Sequence, residues 1–388
     1  MKKYILTAVL ALLAASLIGG CGGQTPAGDA ARLDGYWKVD YMNDGFGFAE
    51  FRVGRVEYLS FDSGGNSVTL YGNWGDLYDC APALASFGQD GTLTVSHRVP
   101  GAEVVTRAYR YELPDGDTLL LHDVTGRTVK LTRAEKTPAE DGYACQRVGL
   151  EYLSQVQHSV LHDTNLLSGN GELWFVTGGP DQAYAIPYDV VSHHYGGYNL
   201  SGSYVFAFGM QSGNLLWATS RTGDNSVAKL VDFNGNELAS IDTQTLHNAY
   251  KSTIETGTYD GYYLWLYGYH LTNLDDSDPV AVLTKVDVTA NPPVTKFSDW
   301  GVKMRVVAMA AYGSDVWALV SFGNYLLVRL NEDGEVEETF ILPYPPTGTP
   351  IKMVGLAGLG GDMYVLGEDL YPSPYGYESY SHVLKVTW

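Results

Sequence analysis

The sequence predicts an all-β protein: a small antiparallel barrel followed by a β-propeller, most simply five-bladed, with six blades as the alternative. Three observations carry this. Long runs with helical periodicity are nearly absent, while short aromatic and β-branched runs end at Gly, Asn and Asp turn signals. The first third of the chain offers seven or eight such runs without any repeat, as a small barrel requires. The larger remainder repeats an aromatic-centred apolar run about every 47 residues, the period of a four-stranded propeller blade.

The chain of 388 residues begins MKKYILTAVLALLAASLIGGC. Lys2 and Lys3 precede an apolar core from Tyr4 to Ile18, which is shorter than the roughly 20 residues of a membrane-spanning helix. Residues 1–20 therefore read as a signal peptide. The run Leu17-Ile18-Gly19-Gly20-Cys21 resembles the lipobox of bacterial lipoproteins. That resemblance implies cleavage after Gly20, lipid on Cys21 and a membrane anchor on the extracytoplasmic side. Because Gly22 follows, the family's sorting rule implies the outer membrane in a cell with two. Residues 21–32 are small and polar and read as a flexible tether.

Residues 33–133 carry the strand-like runs GYWKVDYM, VEYLSFDS, SVTLYGNW, GTLTVSHRV, RAYRYEL, DTLLLHDV and TVKLTRA. Gly35-Tyr36-Trp37 opens the first and Arg133 closes the last. These positions resemble bacterial lipocalin-like domains, in which a G-x-W strand begins the barrel and an arginine lies over its tryptophan. The resemblance implies a Trp37–Arg133 pair plugging one end, with the interior either an apolar cavity or filled by its own side chains. Residues 134–146 are polar, contain Pro138 and read as a linker.

Residues 147–388 hold the repeat. Its aromatic centres are Trp174, Trp217, Trp265, Trp317 and Tyr364, separated by 43, 48, 52 and 47 residues. Each sits in a nearly continuous apolar run, as a strand covered on both faces must, so these rings read as packing between blades. A second strand ending in a polar turn follows each centre. The last unit stops at Trp388 without an outer strand, while RVGLEYLSQVQ from Arg147 has no partner in the first unit. Pairing of the two closes the ring and removes an open edge.

Chemistry is less legible. Lys and Arg number 24 against 44 Asp and Glu, a balance that disfavours nucleic acid as a partner. No cofactor motif, metal-ligand spacing or nucleophile motif stands out. His193-His194, the acidic run Asp275-Asp276-Ser277-Asp278 and His162-Asp163 each have a bland reading as loop residues. Cys80 and Cys145 remain as an even pair once Cys21 is lipidated, either bonded or two buried thiols. Tyr195, Tyr198, Tyr375 and Tyr377 lie in aromatic-rich loops suited to stacking on sugar rings or on an envelope protein, or to plain packing. The expectation is a lipid-anchored binding or scaffolding module without catalysis. The alternative is a carbohydrate-active enzyme with carboxylates in the propeller channel.

Overall fold

The computed structural model describes residues 30–41, 55–74, 77–88, 90–98, 104–143, 145–159, 162–178, 183–189, 198–200, 206–212, 214–222, 225–271, 280–290, 294–299, 305–322, 324–343, 351–369 and 378–388. The expected signal peptide, Cys21 and most of the expected tether lie outside them. Ala30–Leu33 form a 3-10 turn, and buried Leu33 already belongs to the barrel core.

Eight antiparallel strands close the barrel: β1 Gly35–Tyr41, β2 Arg55–Asp62, β3 Ser67–Trp74, β4 Leu77–Phe87, β5 Thr92–Arg98, β6 Val104–Glu112, β7 Thr118–His122 and β8 Thr128–Arg133. Trp37 on β1 sits directly opposite Arg133 on β8. The guanidinium carbon lies 4.4 Å from the indole centroid, and its nitrogens donate to the carbonyls of Arg32, Asp34 and Gly116. The buried indole donates to Leu33 O at 2.7 Å. Gly35 at φ 108° makes the turn into β1, a backbone conformation that favours glycine. Inside, Leu59, Phe61, Leu70, Leu93, Val95 and Tyr109 join this tryptophan in one buried cluster, so these described positions fill the interior with their own side chains.

The strand β4, LYDCAPALASF, was not expected, because Pro82 and four small residues weaken its strand signal. It pairs with β3 from Leu77 to Leu84 but with β5 only from Leu84 to Phe87. Leu77 and Cys80, near its start, instead pack on the propeller, beside Phe322, Leu326 and Ile341. Cys80 is joined to Cys145 by a disulfide with its Cα atoms 6.1 Å apart. A closed loop of this size stabilises by roughly 4 kcal/mol on the chain-entropy account. The linker folds back onto the barrel: a 3-10 turn at Ala139–Asp141 presents the Asp141 carboxylate to Lys38 and to the Tyr58 hydroxyl.

Beyond the linker come β9 Gln146–Arg147 and β10 Gly149–Ser159, then five blades. Blade 1 is β11 His162–Gly169, β12 Glu172–Gly178, β13 Ala183–Tyr188 and β14 Tyr198–Leu200. Blade 2 is β15 Phe206–Ser212, β16 Leu215–Thr222, β17 Asn225–Asp232 and β18 Glu237–Asp242, followed by the short helix α1 Thr243–His247. Blade 3 is β19 Lys251–Tyr259, β20 Tyr263–Leu271, β21 Val280–Asp287 and β22 Val294–Asp299. Blade 4 is β23 Arg305–Tyr312, β24 Asp315–Phe322, β25 Asn324–Leu330 and β26 Val336–Leu342. Blade 5 is β27 Ile351–Leu359, β28 Asp362–Asp369 and β29 Glu378–Thr387, with β10 as its outer strand.

The closure is a long antiparallel pairing, from Gly149 opposite Thr387 to Ser159 opposite Glu378. A smaller addition was not foreseen: β9, which begins inside the expected linker, pairs in parallel with β26 and gives blade 4 a fifth strand. Each repeat aromatic fills the gap to the next blade. Trp174 packs with Ala207 and Leu216, Trp217 with Ile254 and Leu266, and Trp265 with Val306 and Met309. Trp317 packs with Met353 and Met363, and Tyr364 with Leu166 and Phe175 of blade 1. All five are buried. Truncating a core aromatic of this kind typically costs about 3–5 kcal/mol.

Five blades bring the inner strands very close together. A Cβ on Gly355 would lie 2.7 Å from the Leu166 backbone nitrogen, and one on Gly209 would lie 2.9 Å from the Tyr259 nitrogen. Backbone cannot move aside as a side chain can, so Gly355→Ala is expected to destabilise by about 1–3 kcal/mol through overpacking. Gly116, in an open barrel turn, has nothing within 4 Å of its Cβ position. Gly116→Ala is expected to be neutral or slightly stabilising. Urea unfolding of both variants checks this contrast; equal stability of Gly355→Ala and the parent chain would mean that the inner strands do not touch.

Candidate functional site

The inner strands decide whether the ring axis can admit a substrate. Where Leu167, Met210, Tyr259, Met309 and Leu356 meet, the space between the inner strands is about 30 Å³. That is room for about one water. Its lining also includes Gly209, Ala310, Ala311 and Ala357, and it contains no carboxylate. The small residues that let the strands approach are the same ones that close the axis.

A larger opening lies elsewhere, as a groove of about 800 Å³ between blades 3 and 4. It is built from the β19–β20 turn, the end of β21 and the first and third hairpin turns of blade 4. Antiparallel order within each blade sends its first and third turns to the same face, so the four pieces meet on one side of the ring.

One wall is aromatic. Asp260 shapes it: one carboxylate oxygen accepts from the backbone N–H groups of Tyr262 and Tyr263, and the other accepts from the Trp265 indole at 2.8 Å. The Tyr262 side chain is 76% exposed on this fixed turn, while Trp265 is buried beneath it. Lys285 stands over the wall, its ammonium 4.2 Å from the Tyr263 ring centroid and 4.8 Å from that of Trp265. The same ammonium donates to Glu332 O of blade 4 at 2.9 Å and so bridges the groove floor.

The rim is acidic. Asp287 accepts from the Thr289 hydroxyl and backbone N–H, which hold its carboxyl below the usual range. Asp315 lines the groove and meets Arg329, whose guanidinium also reaches Glu337 and Glu338. Asn331 accepts from the N–H groups of Asp333 and Glu335, fixing the turn that presents Glu332.

Comparison of the blades shows how this groove arises. A cation stands across from the repeat aromatic in blades 3, 4 and 5: Lys285 opposite Trp265, Arg329 opposite Trp317 and Lys385 opposite Tyr364. In blades 4 and 5 that cation pairs with the aspartate starting the second strand, Arg329 with Asp315 and Lys385 with Asp362. Blade 3 departs from the pattern. Two residues separate first and second strands in the other four blades, but three do so here: Asp260, Gly261 and Tyr262. Gly261 takes φ 102°, which lets the longer turn form. The extra residue turns the aspartate toward the indole and places Tyr262 on the surface.

The residues singled out from sequence fall differently. Tyr195, Tyr375 and Tyr377 lie outside the described residues, as do His193-His194 and Asp275–Asp278. Tyr198 begins β14, with its side chain outside the described set, and so do the side chains of His162 and Asp163. Sequence reading missed the groove, although the run Tyr259-Asp260-Gly261-Tyr262-Tyr263-Leu264-Trp265 carries a signal: two tyrosines beyond the turn, directly before a blade aromatic. Among the described residues, no group of three or more His, Cys, Asp or Glu could hold a metal ion.

No protein-family model matches the chain, and no curated protein does. Solved structures do resemble it. Glutaminyl cyclase of Myxococcus xanthus is 13% identical, with a TM-score of 0.39 over 63% of this chain and 100% of that one. The polysaccharide lyase Uly1 is 9% identical, with a TM-score of 0.33 over 84% and 89%. AztD from Citrobacter koseri is 12% identical, with a TM-score of 0.26 over 85% and 88%. Likeness at this level says nothing of chemistry.

A histidine pair also escaped the sequence reading. His247, at the end of α1, stacks on His270 of β20 with ring centroids 4.9 Å apart, and its Nε2 lies 3.0 Å from the Thr284 hydroxyl. Burial, with the neighbouring ring's charge added, pulls the His247 pKa down to about 4. The folded state therefore resists a proton that the unfolded chain accepts near pH 6.5. The resulting stability is full above pH 6.5 and is lost as pH falls toward 4, by on the order of 2–3 kcal/mol. Chemical denaturation at pH 7.5 and 4.5 is expected to show a smaller acid loss in His247→Gln than in the parent chain. An identical acid loss in the two proteins would mean that His247 is freely protonated in the fold.

Proposed function

We propose that this chain is a lipid-anchored extracytoplasmic binding protein whose propeller is an interaction platform for a carbohydrate or an envelope protein. The closed axis carries this reading. Where the inner strands meet there is space for about one water, so a ligand finds little room at that level, and the groove between blades 3 and 4 offers far more. It combines a fixed aromatic wall, a bridging lysine and an acidic rim, which is recognition chemistry.

Two further observations support the location. Leu17-Ile18-Gly19-Gly20-Cys21 supplies the lipidation site, and lipid chains on Cys21 give stable anchoring at about 0.8 kcal/mol per buried methylene. The Cys80–Cys145 disulfide suits an oxidising compartment. The anionic surface fits a partner other than nucleic acid. The barrel, stapled to blade 4, acts as a spacer that sets the propeller's orientation above the membrane.

The anchor is tested by expressing the parent chain and Cys21→Ser in a bacterial host fed labelled fatty acid. The parent chain is expected to carry label and to fractionate with membranes; Cys21→Ser is expected to lose the label. A parent chain without label would remove the lipid anchor from this account.

A further inference from the structure

We infer that the groove between blades 3 and 4 binds a neutral oligosaccharide, with the Tyr262 ring as its stacking platform. This rests on the binding-protein reading and names the ligand class for that site.

The first reason is the insertion. Four blades turn from first to second strand in two residues, and blade 3 alone uses three, the third being Tyr262. Tyr262 is 76% exposed, and the backbone of its turn is pinned by Asp260, which also holds the Trp265 indole. The turn itself therefore loses little conformational entropy on binding. A flat ring with an apolar face suits the C–H face of a pyranose.

The second reason is the distribution of charge. The negative π faces of Tyr263 and Trp265 would attract a cationic side chain, but Lys285 already occupies that place. A guest cation would meet a like charge there. An anionic sugar would meet Asp260, Asp287, Asp315 and Glu332 around the same opening. A neutral polyol avoids both repulsions. Its hydroxyls can donate to the carboxylates, and its ring oxygens can accept from Lys285, so both polarities of the groove find partners. At about 800 Å³, the groove falls within the size of small-molecule sites.

The test uses the full chain purified in a detergent without a sugar headgroup. Calorimetric titration is made with neutral hexamers of β-1,4-glucose, α-1,4-glucose, β-1,4-N-acetylglucosamine and α-1,6-mannose, and with a hexa-arginine peptide. At least one hexamer is expected to bind. Tyr262→Ala should then weaken binding about tenfold with an unchanged thermal midpoint, while Tyr262→Phe, which keeps the ring face, should stay within about twofold. If no hexamer binds, or if Tyr262→Ala binds like the parent chain, the proposal is overturned. Tyr262-dependent binding of hexa-arginine without any hexamer would also overturn it, while leaving an interaction platform that takes a cationic protein segment. Release of shorter sugars from a bound hexamer, followed by chromatography, would instead defeat the non-catalytic reading, whatever the affinity.

Discussion

The number of blades is the constraint from which the other features follow. Each blade widens toward the rim and must meet its neighbours face to face, so five of them leave the inner strands little separation. Glycine at positions such as Gly209 and Gly355 makes the approach possible, because a Cβ at either would lie within 3 Å of neighbouring backbone. The axis is then filled by the walls that define it. The ring holds because its ends meet: β10, at the N-terminal side, completes the blade that β29 would leave with an open edge. Opening that seam would expose a strand edge and the apolar faces of blade 5 together. Closure and interblade packing therefore stabilise one another.

On the proposed reading, a narrow axis leaves recognition to the blade edges, where the repeat need not be kept. The aromatic column is preserved in every blade because each gap needs a large ring, and Tyr364 replaces tryptophan without changing that role. The turns are under no such demand. In blade 3 one added residue changes three things together: Asp260 bonds the Trp265 indole, Tyr262 reaches solvent, and Lys285 is left to cross to blade 4. The groove's aromatic wall arises from one added residue, whereas the other four first-to-second connections keep two residues. The barrel's part is positional. β4 lies on blade 4, the Cys80–Cys145 bond secures it, and Asn324 donates to buried Asp79 across the contact.

What the sequence disclosed follows the same physics. Evenly spaced aromatics mark the blades because interblade gaps repeat at equal chain intervals, and the unpaired run after Arg147 marks the closing strand because an open edge is unfavourable. Trp37 and Arg133 were legible through a resemblance and meet in the structure as a stacked pair. The missed features depend on distant partners. β4 contains Pro82 and few β-branched residues, so its strand state comes from β3 on one side and the propeller on the other. β9 is two residues long, too short for any periodicity. Lys285, Tyr262 and Asp260 are ordinary turn and strand residues until blade 4 is placed beside them. His247 and His270 stand 23 positions apart and meet only because α1 folds back over blade 3.

The central claim is that ligand engages the groove between blades 3 and 4 and not the axis. Hydrogen exchange of the full chain, with and without the best-binding neutral hexamer, tests it most directly. Slower exchange is predicted for the turns around Asp260–Tyr263 and Asn331–Glu335, with the inner strands unchanged. Protection confined to the inner strands or to the barrel, with those two turns unaffected, would contradict the account.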